Sequence, residues 1–374
     1  MKFSKDGKLK IMQITDIQEG AKVSVDTMKL LESAVKSEKP DLVIYTGDQI
    51  KGYDVSYKGK SKEKLADIIG NTIDTILKPV TSRNIPFAVT FGNHDCQTGI
   101  SNKEQFEKFY KSYPSCLGVQ AEGIDGGGTY NIPVKSSDGS RTALNIYLIY
   151  SGTDTKNGGY EPVDKNIINW YKETREKLKE ENSDYVPSLV FQHIPLCEHY
   201  NVLKKVSKRT KGAIPAFRTH KGEFYIIDKE KCSSDSVLLE PPSIPDINTG
   251  EFDAFKEKGE VFGVYVGHDH KNSYVGKYQG IDLGFTQSSG FSTYGNGKER
   301  GVRIFILDEN NPKEYQTYTK TYRQLCDGKL QKPITDAIGK MAPTNFDMAK
   351  PMIAKAVGIL ACIIAAAVLL IKYL

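Results

Sequence analysis

The chain has 374 residues, 39% of them apolar, enough for a sizeable core in one or two domains. Its 51 Lys and Arg stand against 46 Asp and Glu, a net charge of +5 that is too small and too dispersed to argue for a nucleic-acid partner. The six cysteines form no C-x-x-C pair and no zinc-finger spacing, and a chain of this length needs no disulfide framework, so reduced thiols are expected.

The opening, MKFSKDGKLKIMQITD, carries no apolar stretch ahead of its first strand, so no signal peptide is expected. The absence of any Asn-x-Ser/Thr sequon also leans away from the secretory lumen. Residues 9–15, LKIMQIT, read as a short strand ending on Asp16. Residues 24–38 place apolar side chains at 25, 28, 31 and 35 behind a candidate cap at Ser24, which predicts a helix. LVIYT at 42–46 is a buried strand ending on Gly47-Asp48, 62–77 a second helix, and 85–90 a third strand running into FGNHDC. This β-α-β-α-β rhythm implies a parallel sheet covered on both faces. Chemistry on such a sheet belongs beyond the carboxyl ends of the strands.

The second half is richer in strands, expected at 143–151, 187–191, 261–266, 301–307 and 314–322, with a helix at 166–179 that holds Trp170. The glycine run 126–128 is a loop, and the basic cluster Lys204, Lys205, Lys208, Arg209, Lys211, Arg218 and Lys221 reads as a solvated loop. Residues 325–350 hold few apolar positions and are expected to be a linker. The end of the chain differs: from Ala356 to Ile371 no residue is charged. That run spans about 24 Å as a helix, and extending it to 352–373, with Lys355 and Lys372 reaching outward, matches a bilayer core of about 30 Å. An alanine-rich core helix is the competing reading, but a helix apolar all round fits a membrane better. The expected organisation is one domain over 1–324, a linker over 325–350 and a transmembrane tail anchor over 351–374. The catalytic part would lie on the cytosolic side, where Lys350 and Lys355 agree with the positive-inside bias.

Polar residues gather at the strand ends. IMQITDIQ supplies Asp16 and Gln18, LVIYTGDQ Asp48, FAVTFGNHD Asn93, His94 and Asp95, SLVFQHIP His193, and VYVGHDH His268 and His270. Carboxylates, amide oxygens and imidazoles are the donors that hard-to-borderline divalent cations prefer. A lone Gly-Asp is usually a turn, but a turn needs no histidine, and five such segments in order are a far stronger signal. Asp269, between two histidines in an extended segment, would point away. Two cations about 3.5–4 Å apart would clamp both oxygens of a displacement at phosphorus.

At these residues the sequence resembles the calcineurin-like metallophosphoesterases, whose signature runs D-x-H, G-D, G-N-H-[DE], a later H, then G-H-x-H. The matches are Asp16-Ile17-Gln18, Gly47-Asp48, Gly92-Asn93-His94-Asp95, His193 and Gly267-His268-Asp269-His270. QHIPLCEHY, GHDHKNSY and the downstream YGNGKERGVRIF look most like the purple-acid-phosphatase-related, Dcr2-like phosphatases within that superfamily. The resemblance spans roughly residues 8–310. It implies an α/β (α+β) fold, a four-layer β-sandwich flanked by helices, and a dinuclear phosphoric ester hydrolase. Asp16, Gln18, Asp48 and His270 would surround one cation, and Asp48, Asn93, His193 and His268 the other. A metal-bound hydroxide would attack phosphorus in line, while His94 protonates the leaving group and Asp95 holds the His94 ring.

Two departures matter. Gln18 stands where the pattern has His, which shifts the expected pair toward manganese, with iron, zinc or magnesium as alternatives. Lys51 occupies the place of the tyrosine ligand of purple acid phosphatases, so no tyrosinate colour is expected. A phosphomonoester substrate is the first expectation. A phosphodiesterase or nucleotide pyrophosphatase, or a catalytically weak scaffold, are the alternatives.

Overall fold

The computed structural model describes residues 1–343 together with 349–350, 352–355 and 357–359. The expected tail at 351–374 falls for the most part outside them, and no helix among the described residues is long and apolar enough to cross a membrane.

The chain runs β1 (Lys8–Ile14), α1 (Val25–Glu38), β2 (Leu42–Thr46), α2 (Lys62–Thr81), β3 (Phe87–Thr90), α3 (Asn102–Gln105), β4 (Tyr130–Lys135), β5 (Thr142–Leu148) and α4 (Lys165–Asn182). It continues through β6 (Ser188–Phe191), β7 (Leu203–Val206), β8 (Ile214–Pro215), β9 (Phe224–Ile227), α5 (Glu251–Lys256), β10 (Val261–Val266), β11 (Tyr274–Tyr278) and β12 (Ile281–Phe285). It closes with β13 (Gly301–Asp308), β14 (Gln316–Thr321), α6 (Tyr322–Leu325) and α7 (Pro333–Met341).

Two sheets form the body, ordered β14-β13-β1-β2-β3 and β11-β12-β10-β6-β5-β4. Each has a parallel centre: β1, β2 and β3 in the first, and β5, β6, β10 and β12 in the second. Antiparallel strands close one edge of the first sheet and both edges of the second, and the parallel β3 forms the remaining edge. The alternation of side chains along a strand explains how the second sheet serves two cores. Ile146 and Leu148 of β5, with Leu189 and Phe191 of β6, join Ile11, Val43, Val89 and Phe305 of the first sheet. Tyr147 and Val190, one residue out of step, pack instead with Tyr171 of α4 and with Phe252 and Phe255 of α5. Leu31 and Val35 of α1 and Ile69, Ile73 and Ile76 of α2 complete the first core. Each such fully buried side chain contributes about 1.5–3 kcal/mol.

Helix α2 begins on a Ser61 cap, whose hydroxyl accepts from the Lys64 amide, and carries Pro79 in its last turn. It therefore outlasts the expected end at residue 77: a proline near the C-terminus removes one hydrogen bond without stopping the helix. Within the basic cluster Lys204 and Lys205 lie on β7, while Lys208, Arg209 and Lys211 sit in an exposed turn as expected. β7, β9 and β8 form a three-stranded sheet of their own, with Leu203, Ala216 and Tyr225 buried beneath the cations.

The expected linker is also ordered up to residue 343. Cys326 and Leu330 pack with Leu30 and Tyr322. The Gln331 amide donates to Asp26 at 2.8 Å, Arg300 lies 3.8 Å from Asp336, and Lys271 Nζ donates to the Ala342 carbonyl at 2.9 Å. These contacts are largely polar, and the apolar residues at helical spacing in α7, Ile334, Ile338 and Met341, are exposed and take no part in the docking.

Candidate metal centre

Every strand end singled out in the sequence reaches the same edge of the sandwich. Asp16 and Gln18 follow β1, Asp48 follows β2, Asn93 to Asp95 follow β3, His193 follows β6, and His268 and His270 follow β10. Asp16, Asp48, Asn93, Asp95, His193 and His270 are all at most 2% exposed.

Local backbone geometry makes this convergence possible. Asp16, Gln18, Asp48 and His268 adopt positive φ of 51°, 39°, 54° and 73°, a region that costs ordinary residues about 1–3 kcal/mol each. Gly92 answers a separate demand: a Cβ there would lie 2.1 Å from Asp48 Oδ1. The chain leaves β3 on glycine because nothing larger fits beside that carboxylate.

The donors form two overlapping groups. In the first, Asp16 Oδ1 lies 3.4 Å from His270 Nε2, and the Gln18 amide sits between Asp48 Oδ2 at 2.7 Å and His270 Nε2 at 3.2 Å. Donor atoms of Asp16, Asp48 and His270 all lie within 4.8 Å of one another. In the second, His193 Nε2 faces Asp48 Oδ2 at 3.3 Å, Asn93 Oδ1 at 3.2 Å and His268 Nδ1 at 3.2 Å. Asp48 belongs to both. The Gln18 side chain presents its NH₂ to the group and its oxygen to the Tyr53 hydroxyl at 3.1 Å. A half-turn of that amide exchanges the two ends.

The imidazoles are aimed from behind. His193 Nδ1–H donates to the Thr46 carbonyl and His270 Nδ1–H to the Tyr294 carbonyl, both at 2.9 Å, which leaves each Nε2 lone pair facing the pocket. Asp16 Oδ1 is buried and accepts no hydrogen bond. A pocket of inward lone pairs with an orphaned carboxylate oxygen fits cations, and its oxygen and nitrogen donors, with no thiolate among them, fit manganese, iron, zinc or magnesium. Burial works against charge on His193, but the Asp48 carboxylate beside it raises its pKa to about 10. Burial and the neighbouring His193 push His268 well below the usual imidazole range.

Asp95 does not hold the His94 ring. Its carboxylate accepts the backbone amides of Asp48, Ile50 and Gly92, at 2.8, 2.9 and 2.8 Å. The strained turns after β2 and β3 each leave amides without ladder partners, and Asp95 satisfies them. The His94 ring instead donates from Nδ1 to Gln97 Oε1 at 2.8 Å, while its Nε2 stands 3.9 Å from Asp48 Oδ2 at the pocket mouth. Asp269 points away, accepting the Ser243 amide at 3.0 Å.

Several neighbours had no signal in the sequence. Tyr53, Tyr160 and Tyr294 pack their rings on His94, His268 and His270, with centroids 4.8, 4.4 and 4.2 Å apart. Glu240 accepts from the Tyr294 hydroxyl and the Lys271 amide. Of the remaining histidines, His199 is fully buried against Phe285, and His220 stacks on Tyr200 in the small sheet.

A family model described as calcineurin-like phosphoesterase matches residues 9–272. The chain is 28% identical over 343 residues to "Probable inactive purple acid phosphatase 14" of Arabidopsis thaliana, covering 81% of this chain and 76% of that protein. It is 24% identical over 364 residues to "Phosphatase DCR2" of Saccharomyces cerevisiae, covering 86% of this chain and 56% of that protein. Among solved structures, "GAP50 the anchor in the inner membrane complex of Plasmodium" superposes with a TM-score of 0.50 at 12% identity, covering 86% of this chain and 88% of that one.

Proposed function

The chain belongs to the calcineurin-like phosphoesterase family, and from that premise we propose that it is a phosphatase acting on phosphomonoesters with two divalent cations, manganese foremost. The observation that carries this reading is the convergence of inward lone pairs around Asp48, beside the orphaned Asp16 Oδ1. Asp16, Gln18, Asp48 and His270 would hold one cation, with the Gln18 amide turned to present its oxygen, and Asp48, Asn93, His193 and His268 the other. When bound, such a pair lowers the pKa of a water and offsets the charge on phosphoryl oxygens.

The protein's own groups do the rest. His94, with a side chain 26% exposed at the mouth, delivers a proton from Nε2 to the leaving oxygen. Its Nδ1 keeps its proton, donated to Gln97 Oε1, which fixes the ring. Asp95 acts through the backbone, keeping the Asp48 and Gly92 turns in register. Tyr53 lies against both His94 and Gln18, where its hydroxyl can meet the substrate. We further propose that the tail at 351–374 anchors the chain in a membrane with this domain on the cytosolic side, a reading supported by the uncharged run 356–371.

The relatives' name "probable inactive" supports a second reading, a scaffold that retains the fold without turnover. One panel separates the readings: chain stripped of metal, reloaded with Mn²⁺, Mg²⁺ or Zn²⁺, and offered p-nitrophenyl phosphate, bis-p-nitrophenyl phosphate and ADP-ribose. Faster turnover of the monoester with Mn²⁺ is expected. Preference for the diester or ADP-ribose would replace the substrate class. No turnover with any metal, and fewer than one ion per chain, would leave the scaffold.

A further inference from the structure

Asp154 lies outside every motif, in the polar stretch SGTDTKNGG between β5 and α4. Its loop is a tight hairpin: the Thr155 amide donates to Gly159 and the Glu161 amide to Thr153, both at 2.8 Å, and Asp154 bridges Tyr160. The hairpin tip leans on the β3 turn, where the Thr153 hydroxyl donates to the Asn93 carbonyl at 3.3 Å. From there the Asp154 carboxylate reaches two amides at once. Oδ1 accepts from Asn93 Nδ2 at 3.0 Å and Oδ2 from Gln97 Nε2 at 2.6 Å.

An ionised carboxylate only accepts, so any amide that touches it must offer its NH₂ and turn its oxygen the other way. Asn93 therefore aims Oδ1 into the second donor group, 3.2 Å from His193 Nε2. Gln97 aims Oε1 at His94 Nδ1, 2.8 Å away. An oxygen at that position requires a proton on Nδ1 and leaves Nε2 as the ring atom that gains or loses one. Turned over, the Asn93 amide would present NH₂ to a cation, and the Gln97 amide would present NH₂ to His94 and favour the other tautomer.

We propose that Asp154 is a positioning residue that sets, through these two amides, both a cation-binding oxygen and the tautomer of the proton donor. The inference rests on the phosphatase reading above and deepens it. Gln97 is the branch that serves proton delivery alone, so the two functions can be taken apart.

The test uses the full chain and two readouts. One is Mn²⁺ binding to the metal-stripped protein, followed by electron paramagnetic resonance of free Mn²⁺. The other is the ratio of kcat on p-nitrophenyl phosphate, whose leaving group needs little help, to kcat on phenyl phosphate, whose leaving group needs a proton. Gln97→Met is expected to bind Mn²⁺ as the parent does while slowing phenyl phosphate selectively, by up to about 100-fold. Asp154→Ala is expected to shift that ratio in the same direction and also to weaken one of the two Mn²⁺ sites about 10- to 100-fold. Asp154→Asn, equal in shape but unable to accept from both amides, should show smaller changes of the same kind. An Asp154→Ala protein with parental Mn²⁺ affinity and a parental kcat ratio overturns the proposal. A parent chain that binds Mn²⁺ but hydrolyses none of the esters defeats the phosphatase reading, and the Mn²⁺ arm alone then decides this one. A parent that does neither defeats both.

Discussion

At the scale of single residues, Asp48 combines three burdens: a shared carboxylate, complete burial, and φ of 54°. Asn tolerates that backbone region better than Ala does, so substitution can separate charge from conformation. Asp48→Asn is expected to fold normally and to lose both cations, whereas Asp48→Ala adds backbone strain; calorimetric Mn²⁺ titration and thermal melts distinguish the two. His94→Ala should keep both cations and lower kcat by roughly 10²–10⁴, read by metal analysis and single-turnover kinetics. Its ring is not among the donors of either group: its backbone amide donates to Asp48, and its Nε2 stands 3.9 Å from that carboxylate. The candidate donors were legible in the sequence because neither core packing nor a turn calls for imidazoles at the ends of apolar strands. The role of Asp95 was not legible, since accepting backbone amides leaves no mark on neighbouring residue types. Asp154 and Gln97 were equally silent, because their partners are set by a loop crossing some 60 residues of chain.

At the scale of elements, the turns between strand and donor are as specific as the donors. Gly92→Ala would drive a methyl into Asp48 Oδ1 and is expected to weaken Mn²⁺ binding much as loss of that carboxylate does, without replacing a ligand. The check is Mn²⁺ stoichiometry at unchanged helix and strand content by circular dichroism. β1, β2, α1, α2 and β10 were readable from apolar runs and helical spacing. β4, β11 and β12 were not: Pro133, Gly276 and Gly284 interrupt them, and β4 and β11 are edge strands, half open to solvent, that carry a diluted pattern.

At the scale of the molecule, the donor pocket draws on both sheets, with Asp16, Asp48 and Asn93 from one and His193, His268 and His270 from the other. Bound cations would cross-link the sandwich, so chelation is expected to lower the melting temperature. At 100 times Kd a bound ion contributes about 2.7 kcal/mol. The gain should depend on pH. Without a cation, His193 keeps its proton up to a pKa of about 10. That proton stabilises the cation-free fold fully below about 6.5, and its contribution fades as pH rises through the folded value. A cation must displace it, so affinity rises with pH over the same range. The melting-temperature gap between Mn²⁺-loaded and chelated protein should therefore widen from pH 6.5 to 9; a gap that narrows would contradict the assignment. The sandwich could be anticipated from alternating strands and helices. The docking of 325–343 could not, because polar contacts such as Arg300 with Asp336 obey no period.

The hydrogen bond from Lys271 to the Ala342 carbonyl has a practical corollary. Lys271 is the residue after His270, so the backbone at Ala342 is tied to a direct neighbour of a candidate donor. The Met1 carbonyl instead accepts the Lys135 amide at 3.1 Å, where β4 meets the beginning of β5, a strand length of about 20 Å from the donors. An affinity handle or fluorescent reporter fused ahead of Met1 will hang clear of incoming esters.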